Sequence, residues 1–294
     1  KIKYYKGLGT STGAEFKEYF INKKIMDLCV VDDDRDNLDM VFNKAKEKAT
    51  LRKSWLGKYN RTDTLNLAEV KITLTDFVNK EMIHFSKYDC DRSIPNLMDG
   101  LKTSQRKILF SAFKKNLTTE IKVAQFSGYV SENSGYHHGE SSLNGAIIGM
   151  AQAYLGSNNI NLLVPSGQFG TRLQGGKDHA AERYIFTYLH KITRHLFIKE
   201  DDSVLNYLDD DGTPVEPQFY VPIIPLILVN GAKGIGTGFS TDIPSFNPLT
   251  IISYIESTLS DEEPTDEFIP FYRDFKGIIT KEDTHQFMSH GKFT

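Results

Sequence analysis

The sequence predicts a mixed α/β chain made of more than one domain. Its 294 residues are enough for two or three cooperative units, and 39% hydrophobic and 25% charged residues are typical of a globular protein. Segments with helical spacing of apolar residues alternate with β-branched runs and glycine-rich turns. These observations favour folded domains over disorder.

The first unit is predicted over residues 1–70, and a second unit begins near Lys71. Lysine, alanine and glutamate are frequent in Asn37–Trp55, which predicts an exposed helix. The other segments predicted here are a strand over Lys1–Tyr5, a turn at Gly7 and Gly9, a helix over Ala14–Lys24 and a linker over Lys58–Leu67.

The second unit, over residues 71–217, opens with helices. Leu101–Asn116 has an apolar stripe on one face and places Lys102 and Arg106 one turn apart on another, which predicts a basic surface. A further helix is predicted from an N-cap at Ser141 or Ser142 to Gly156. The stripe consists of Ile108, Leu109, Ala112 and Phe113.

A strand and a loop follow these helices. Asn161–Pro165 is apolar, residues 167–176 contain four glycines, and Ala180–Leu196 predicts another helix. Helices followed by a strand and a loop are typical of a winged helix-turn-helix. The third unit, over residues 218–294, is predicted to contain an edge or bent strand over Phe219–Asn230, a glycine-rich stretch over Gly231–Gly238, a helix over Leu249–Leu259 and strand-like residues over Phe271–Ile279.

Charge and cysteine content exclude some classes of protein. Cys29 and Cys90 lack CxxC spacing, so neither a disulfide framework nor a thiolate zinc site is expected. No apolar run approaches the ~20 residues that cross a bilayer, so no membrane partner is expected. The chain opens with Lys-Ile-Lys rather than Met, from which we expect a fragment of a longer protein.

The net charge of −3 argues weakly against a nucleic-acid partner, but the charges are unevenly distributed. Residues 102–122 and 172–199 are basic, whereas residues 200–216 and 256–267 carry acidic residues and no Lys or Arg. The basic blocks are candidate nucleic-acid surfaces, and solvated outer faces are the alternative.

Arg183 and Tyr184 are the first candidate for chemistry. A tyrosine hydroxyl has a pKa of ~10, so attack on a phosphate needs a proton acceptor or a nearby cation. Arg183 is permanently charged and can hold two phosphate oxygens. A surface arginine beside a packed tyrosine ring is the alternative interpretation.

Three other motifs have weaker chemical meaning. His137 and His138 lack the partners of a zinc site, so one imidazole either binds phosphate or supports a helix start. The glycines of residues 234–238 lack the lysine of a P-loop and are interpreted as tight turns or close backbone approaches. Asp32–Asp34 has the ligand chemistry of a magnesium site but is better explained as a solvated helix start.

Taken together, these motifs resemble the DNA breakage-reunion core of type IIA DNA topoisomerases, and the eukaryotic and large-DNA-virus branch more than bacterial gyrase. Their order and spacing agree along nearly the whole chain, except in residues 32–60 and after Ser260. The motifs are YYKGLGTS at 4–11, RSIP at 92–95, DGLK at 99–102, QRK at 105–107, YHHGE at 136–140, FGTR at 169–172, GGKD at 175–178, AERYI at 181–185, GIGTG at 234–238 and IPSFNP at 243–248.

The resemblance implies a domain for each unit. It implies the end of a toprim α/β domain with a linker over residues 1–70, a winged-helix (CAP-like) domain with the catalytic tyrosine over residues 71–217, and the start of an α+β tower domain over residues 218–294. Magnesium and ATP are implied as cofactors whose ligands lie outside this chain.

The resemblance also implies roles for individual residues. Tyr184 forms a 5'-phosphotyrosyl bond, Arg183 stabilises the pentacovalent phosphate, and His138 contacts the scissile phosphate. Ile235 wedges between base pairs and bends the DNA. The DNA-binding residues are Lys6, Arg92, Lys102, Arg106, Lys107, His137, Lys177 and Ile235.

The implied partners are double-stranded DNA and a second copy of the chain, with each tyrosine acting in the partner's site. The implied location is the nucleus, or the cytoplasm of a host cell for a viral protein. The implied enzyme relaxes and decatenates DNA with ATP. Two rival functions remain open: a non-catalytic winged-helix module that binds DNA as an architectural protein, and a structural domain that binds no DNA.

Overall fold

The computed structural model describes residues 11–23, 25–265, 267–283 and 286–292. Two compact units are present: Lys1–Cys90 with Gly236–Phe239, and Asp91–Ile235 with Ser240–Thr294. Helices and short strands occur in both units, which confirms the mixed α/β class. The domain boundaries at residues 70 and 217 stay predictions, and the predicted strand and turn before residue 10 lie outside the described residues.

The first unit contains two strands and several helices. β1 (Asp27–Cys29) pairs in parallel with β2 (Lys71–Thr73). α1 is held at its start by a capping box, in which Thr12 and Glu15 exchange hydrogen bonds. The helices are α1 (Gly13–Ile21), α2 (Asp34–Phe42), α3 (Lys46–Gly57), α4 (Leu74–Phe77), a π-helical turn over Val78–Met82, and α5 (Ile83–Ser93).

The single exposed helix predicted over residues 37–55 is wrong, because α2 and α3 are separate helices. The Asn43 side chain accepts the Ala45 N–H, and the Arg52 guanidinium donates to the Asn43 carbonyl. These side chains satisfy backbone groups that the break between the helices leaves without a helical partner. Trp55 is buried, and its indole N–H donates to Asn79. The predicted helix start at Asp32–Asp34 is confirmed, since α2 begins at Asp34, but it is not fully solvated: Asp34 is buried and accepts hydrogen bonds from Val31 and Thr75.

Three packed helices form the core of the second unit: α6 (Thr103–Lys115), α7 (Val123–Ser134) and α8 (Glu140–Ala151). The predicted stripe on α6 is confirmed, with Ile108, Leu109 and Ala112 fully buried. Burial of one large aliphatic side chain contributes about 1.5–3 kcal/mol to the free energy of folding. Other buried residues of this core are Val123, Phe126, Val130, Leu143 and Ile147.

α8 differs from its prediction at both ends. Its N-cap is Gly139 rather than Ser141 or Ser142. It ends at Ala151 rather than Gly156, because the Asn158 amide donates to the carbonyls of Gly149 and Gln152 and satisfies the end of the helix.

A three-stranded antiparallel sheet lies beside these helices in the order β3 (Ile121–Lys122), β5 (Phe186–Leu189), β4 (Leu163–Ser166). The helix predicted over Ala180–Leu196 is therefore wrong, and only α9 (Thr193–Leu196) is helical. The central strand β5 pairs on both sides, and the buried Thr187 hydroxyl donates to the Val164 carbonyl. The hydrogen bonds of this strand pairing outweigh the helical preference that the spacing of apolar residues indicates.

The acidic residues 200–216 contain a hairpin of β6 (Tyr207–Asp210) and β7 (Thr213–Pro217), preceded by a 3₁₀ turn over Lys199–Ser203. The strand predicted over Phe219–Asn230 is wrong. Pro222 and Pro225 cannot donate to a sheet, and the residues after them form the short helix α10 (Leu226–Val229).

The remaining elements follow the prediction in part. α11 (Pro248–Leu259) matches the predicted helix and is capped by Asn247. Of the strand predicted over Phe271–Ile279, only Ile278 and Ile279 belong to a strand, since a turn closes at Phe275. The last strands are β8 (Ala232–Gly236), β9 (Phe239–Ile243), β10 (Ile278–Lys281) and β11 (Phe287–His290). In the described part of the chain, no helix is long and apolar enough to cross a membrane.

Candidate active site and nucleic-acid interface

Tyr184 lies in a turn directly before β5, and its backbone N–H donates to the Ala181 carbonyl at 2.9 Å. Its side chain is 67% exposed. The next residue, Ile185, is buried in the core and anchors the turn. The sequence therefore presents the hydroxyl to solvent on a fixed piece of backbone.

The start of α7 fixes the same turn. The Val123 N–H donates to the Ile185 carbonyl at 3.0 Å, and the Ala124 N–H donates to the Glu182 carbonyl at 3.2 Å. These N–H groups have no partner within the helix, so the turn satisfies them. Tyr184 consequently lies between two residues that bind the positive end of a helix dipole.

Arg183 and Tyr184 interact directly. The Arg183 guanidinium lies 5.0 Å from the centre of the Tyr184 ring, and both side chains are exposed. A guanidinium in this position can also bind phosphate oxygens. The pair has the composition needed for attack on a phosphodiester.

His138 precedes α8 and packs edge-on against Tyr136, with ring centres 5.3 Å apart. Partial burial lowers its pKa, and the positive charges of Arg92, His137 and Lys107 lower it further. A neutral imidazole is therefore favoured at neutral pH, which supplies one donor and one acceptor. The His137 ring lies 3.3 Å from the Asp210 carboxylate.

The predicted basic surface of α6 requires a correction at Arg106. This side chain is 6% exposed and donates two hydrogen bonds to Asp99, at 2.7 and 3.0 Å. Asp99 also accepts the Tyr220 N–H, and Arg106 donates to the Leu101 carbonyl. Arg106 thus binds the interior and does not share an open face with Lys102, which is half-buried at the start of α6.

Lys107 also makes its contacts inside the protein. Its ammonium group donates to the Ser134 carbonyl at 2.5 Å and to the buried Glu216 carboxylate at 2.7 Å. Ser134 is the last residue of α7, so Lys107 joins the C-terminal end of that helix to β7. Sequence spacing does not reveal these two partners. Asp99 lies before α6 begins, outside its helical repeat, and Glu216 is about a hundred residues away in the chain.

The glycine-rich loop carries Lys177 in an exposed position. A side chain at Gly170 would collide with the backbone of Gly176, so the loop closes only with glycine there. Asp178 accepts hydrogen bonds from the Thr171 N–H and hydroxyl at 2.8 Å. The hydrogen bond from the Thr171 N–H, and then the one from its hydroxyl, lower the pKa of Asp178. The carboxylate that holds the loop therefore stays charged.

Ile235 on β8 is 74% exposed. The preceding Gly234 packs against the Ser93 carbonyl and Pro95, and a Cβ at this position would overlap with both. This close packing fixes the backbone beneath an apolar side chain that faces solvent. Arg92 is exposed on α5, whereas Lys6 lies outside the described residues.

A magnesium site needs several oxygen ligands at one place. In residues 11–23, 25–265, 267–283 and 286–292, no group of three or more His, Cys, Asp or Glu side chains is placed to hold a metal ion. The described side chains therefore do not fit a magnesium site.

Comparisons with known proteins match nearly the whole chain. The family of the A-type subunit of DNA gyrase/topoisomerase IV matches residues 92–294, and the C-terminal associated domain of TOPRIM matches residues 1–90. A solved structure of the Plasmodium falciparum topoisomerase II DNA-binding, cleavage and re-ligation domain is 50% identical, with a TM-score of 0.82 over 98% of this chain and 40% of that one.

Curated relatives are similarly close. DNA topoisomerase 2 of Arabidopsis thaliana is 56% identical over 285 residues, which cover 95% of this chain and 19% of the relative. The mitochondrial DNA topoisomerase 2 of Dictyostelium discoideum is 51% identical over 292 residues, covering 99% of this chain and 22% of the relative. The chain thus spans about a fifth of the length of these relatives.

Proposed function

The chain belongs to the type IIA DNA topoisomerase family, and on this premise we propose that it is part of the DNA breakage-reunion core of a type II DNA topoisomerase. The observation that carries the proposal is the exposed Tyr184. The start of α7 holds the turn in which it lies, and the Arg183 guanidinium packs against its ring. The enzyme is an isomerase that cuts both strands of one duplex, passes another duplex through and reseals the break.

In the proposed reaction, the Tyr184 oxygen attacks a backbone phosphate. A 5'-phosphotyrosyl bond forms as the bond to the 3' oxygen breaks, and attack by that 3'-hydroxyl later reverses the exchange. One phosphoester replaces another, so resealing needs no separate energy source. Because the side chain is exposed and its backbone is fixed, DNA can approach without rearrangement of the turn.

Arg183 and His138 act on the phosphate in this proposal. Arg183 binds its non-bridging oxygens, where negative charge increases during attack; loss of such a contact typically costs about 3–4 kcal/mol of transition-state stabilisation. His138, neutral because of its lowered pKa, donates a hydrogen bond to the scissile phosphate. Magnesium and ATP are proposed to bind other parts of the longer protein.

The proposed DNA surface consists of exposed and half-buried groups. Arg92, Lys102, His137 and Lys177 contact the backbone, and Ile235 inserts between base pairs. Arg106 and Lys107 instead support this surface from inside through their buried carboxylate partners. Lys6 remains a proposed DNA contact through its motif alone.

The finer domain assignment is also proposed. Helices α6–α8 with the sheet β3–β5–β4 form a winged-helix domain, preceded by the end of a toprim domain and followed by the start of a tower. Two copies are proposed to act together in the nucleus, with each tyrosine completing the site of the partner.

Covalent capture tests the proposal. The full-length protein is incubated with end-labelled duplex DNA and magnesium and then denatured, and we expect covalent adducts that Tyr184→Phe abolishes. Tyr188→Phe is the matched control, because Tyr188 is a partly buried tyrosine on the adjacent strand β5 and should retain adducts. Adducts that persist in Tyr184→Phe would remove Tyr184 from its role. DNA binding without adducts in the parent protein would instead favour the architectural module.

A further inference from the structure

A cavity of about 490 Å³ lies in the second unit, and its described lining contains none of the residues proposed for DNA cleavage or DNA contact. This volume is in the range of small-ligand sites. Four aromatic rings and two lysines contribute to its walls: Phe110, Phe113, Tyr207, Tyr220, Lys114 and Lys199. Its chemistry is therefore aromatic with a cationic edge.

Tyr220 supplies an unused hydrogen-bonding group. Its side chain is 3% exposed, yet its hydroxyl has no hydrogen-bond partner in the described part of the chain, whereas buried tyrosine hydroxyls usually have one. In the described part of the chain, two polar side-chain atoms are buried without a hydrogen-bond partner, Ser111 Oγ and Asn144 Oδ1, and the Tyr220 hydroxyl is not one of them. The Tyr220 hydroxyl is therefore open to solvent, through the cavity that its side chain lines.

The tyrosines remain donors at neutral pH. Burial raises the pKa of Tyr220 and that of Tyr207, and the negative charge of Asp202 raises both further. The Tyr207 hydroxyl is already used, since it donates to the Asp202 carbonyl at 2.9 Å. Tyr220 is thus the tyrosine with a free donor for a bound molecule.

The charges that line the cavity do not cancel. Arg194 lies 3.4 Å from the centre of the Phe113 ring and donates two hydrogen bonds to Asp202, so these two charges neutralise each other. Lys114 lies 5.8 Å from the Phe110 ring centre. Neither Lys114 nor Lys199 forms an ion pair with a described residue. The lining therefore contains three cationic side chains and one acidic side chain, Asp202.

We propose that this cavity binds small aromatic anions. A planar ring packs against the aromatic walls, an acidic group faces Lys114 and Lys199, and one oxygen accepts the Tyr220 hydroxyl. The site goes beyond DNA cleavage and does not depend on Tyr184.

Calorimetric titration of the full-length protein with 2-naphthalenesulfonate tests this site. We expect saturable binding of one molecule per chain, and weaker binding of the uncharged 2-naphthalenemethanol. Tyr220→Phe removes only the hydroxyl and Lys199→Gln only the charge, so each should weaken sulfonate binding about threefold to tenfold. Lys199→Gln should leave binding of the alcohol unchanged.

The matched controls are Tyr254→Phe and Lys276→Gln, which lie outside the cavity lining and should bind the sulfonate like the parent. Absence of saturable binding, or equal affinity of the parent and both cavity variants, would overturn the proposal. Displacement of the probe by duplex DNA would also overturn it, because the probe would then occupy the DNA surface.

Discussion

Lys107 illustrates how the environment of one residue decides what it can do. The sequence places it in a basic block beside Arg106, but in the structure it is bound to Glu216, which is 2% exposed, and to the end of α7. A buried ion pair is weak evidence for stability, whereas removal of one partner is costly because the other charge stays buried.

Glu216→Gln should therefore destabilise the protein by about 3–5 kcal/mol, measured by chemical denaturation. The matched control is Asp242→Asn, which breaks the exposed pair with Lys233 and should cost about 0–1 kcal/mol. Replacement of both partners, with Lys107→Met and Glu216→Leu, should recover much of the loss, since no charge is then left buried. A single Glu216→Gln variant as stable as the parent would contradict this account.

His138 should titrate below the ordinary histidine value of 6.5, because burial and the neighbouring cations lower its pKa. Between the lowered folded value and 6.5 the unfolded chain binds more protons, so the contribution of His138 to stability increases with pH and is fully present above 6.5. Histidine-selective NMR titration checks the midpoint, and His138→Gln assigns the signal. A midpoint at or above 6.5 would contradict the expected shift.

At the scale of elements, Asn159 joins residues that are far apart in the chain. Its side-chain amide donates to the carbonyls of Val229, Phe246 and Phe271, and its oxygen accepts the Arg273 N–H. The Arg273 guanidinium in turn donates to the Ala153 carbonyl at 2.9 Å. The segment after α11 is thus fastened to the loop after α8 mainly by polar contacts.

Asn159→Ala should leave these carbonyls without a donor and cost about 2–4 kcal/mol, since an unpaired buried polar group costs about 1–3 kcal/mol. Amide hydrogen exchange should become faster at Phe271 and Arg273 while the α6 core stays protected. Asn66→Ala is the control, because Asn66 is exposed and its side-chain hydrogen bonds are local: its amide donates to Glu69 and accepts the Ala68 N–H. Equal exchange in the two variants would show that Asn159 does not fasten this segment.

The elements also show what the sequence can and cannot predict. α6 and α11 are predictable because their apolar spacing matches the face that they bury. β5 is not, since its strand character depends on pairing with β3 and β4, which are distant in the chain. Tyr184 and Arg183 are proposed as site residues through their motif, but their exposure and the support from α7 depend on tertiary contacts.

At the scale of the whole molecule, the chain has a net charge of −3 although its proposed partner is a polyanion. The uneven distribution of charge explains how such a chain can bind DNA. Acidic residues are concentrated in the β6–β7 hairpin, whereas Arg92, Lys177 and Arg183 are exposed elsewhere. Local cations, rather than net charge, then determine the salt dependence of DNA binding.

Lys177 and Ile235 should therefore affect DNA binding in different ways. Lys177→Gln should reduce the slope of log affinity against log salt by about 0.9, the value for one phosphate contact. Ile235→Ala should leave that slope unchanged and reduce DNA bending, because an apolar wedge releases no counterions. Titrations of the full-length protein with duplex DNA at several salt concentrations give the slope, and energy transfer between labelled DNA ends gives the bend. An altered slope in Ile235→Ala, or an altered bend with a constant slope in Lys177→Gln, would reverse the assignment of the charged contact and the wedge.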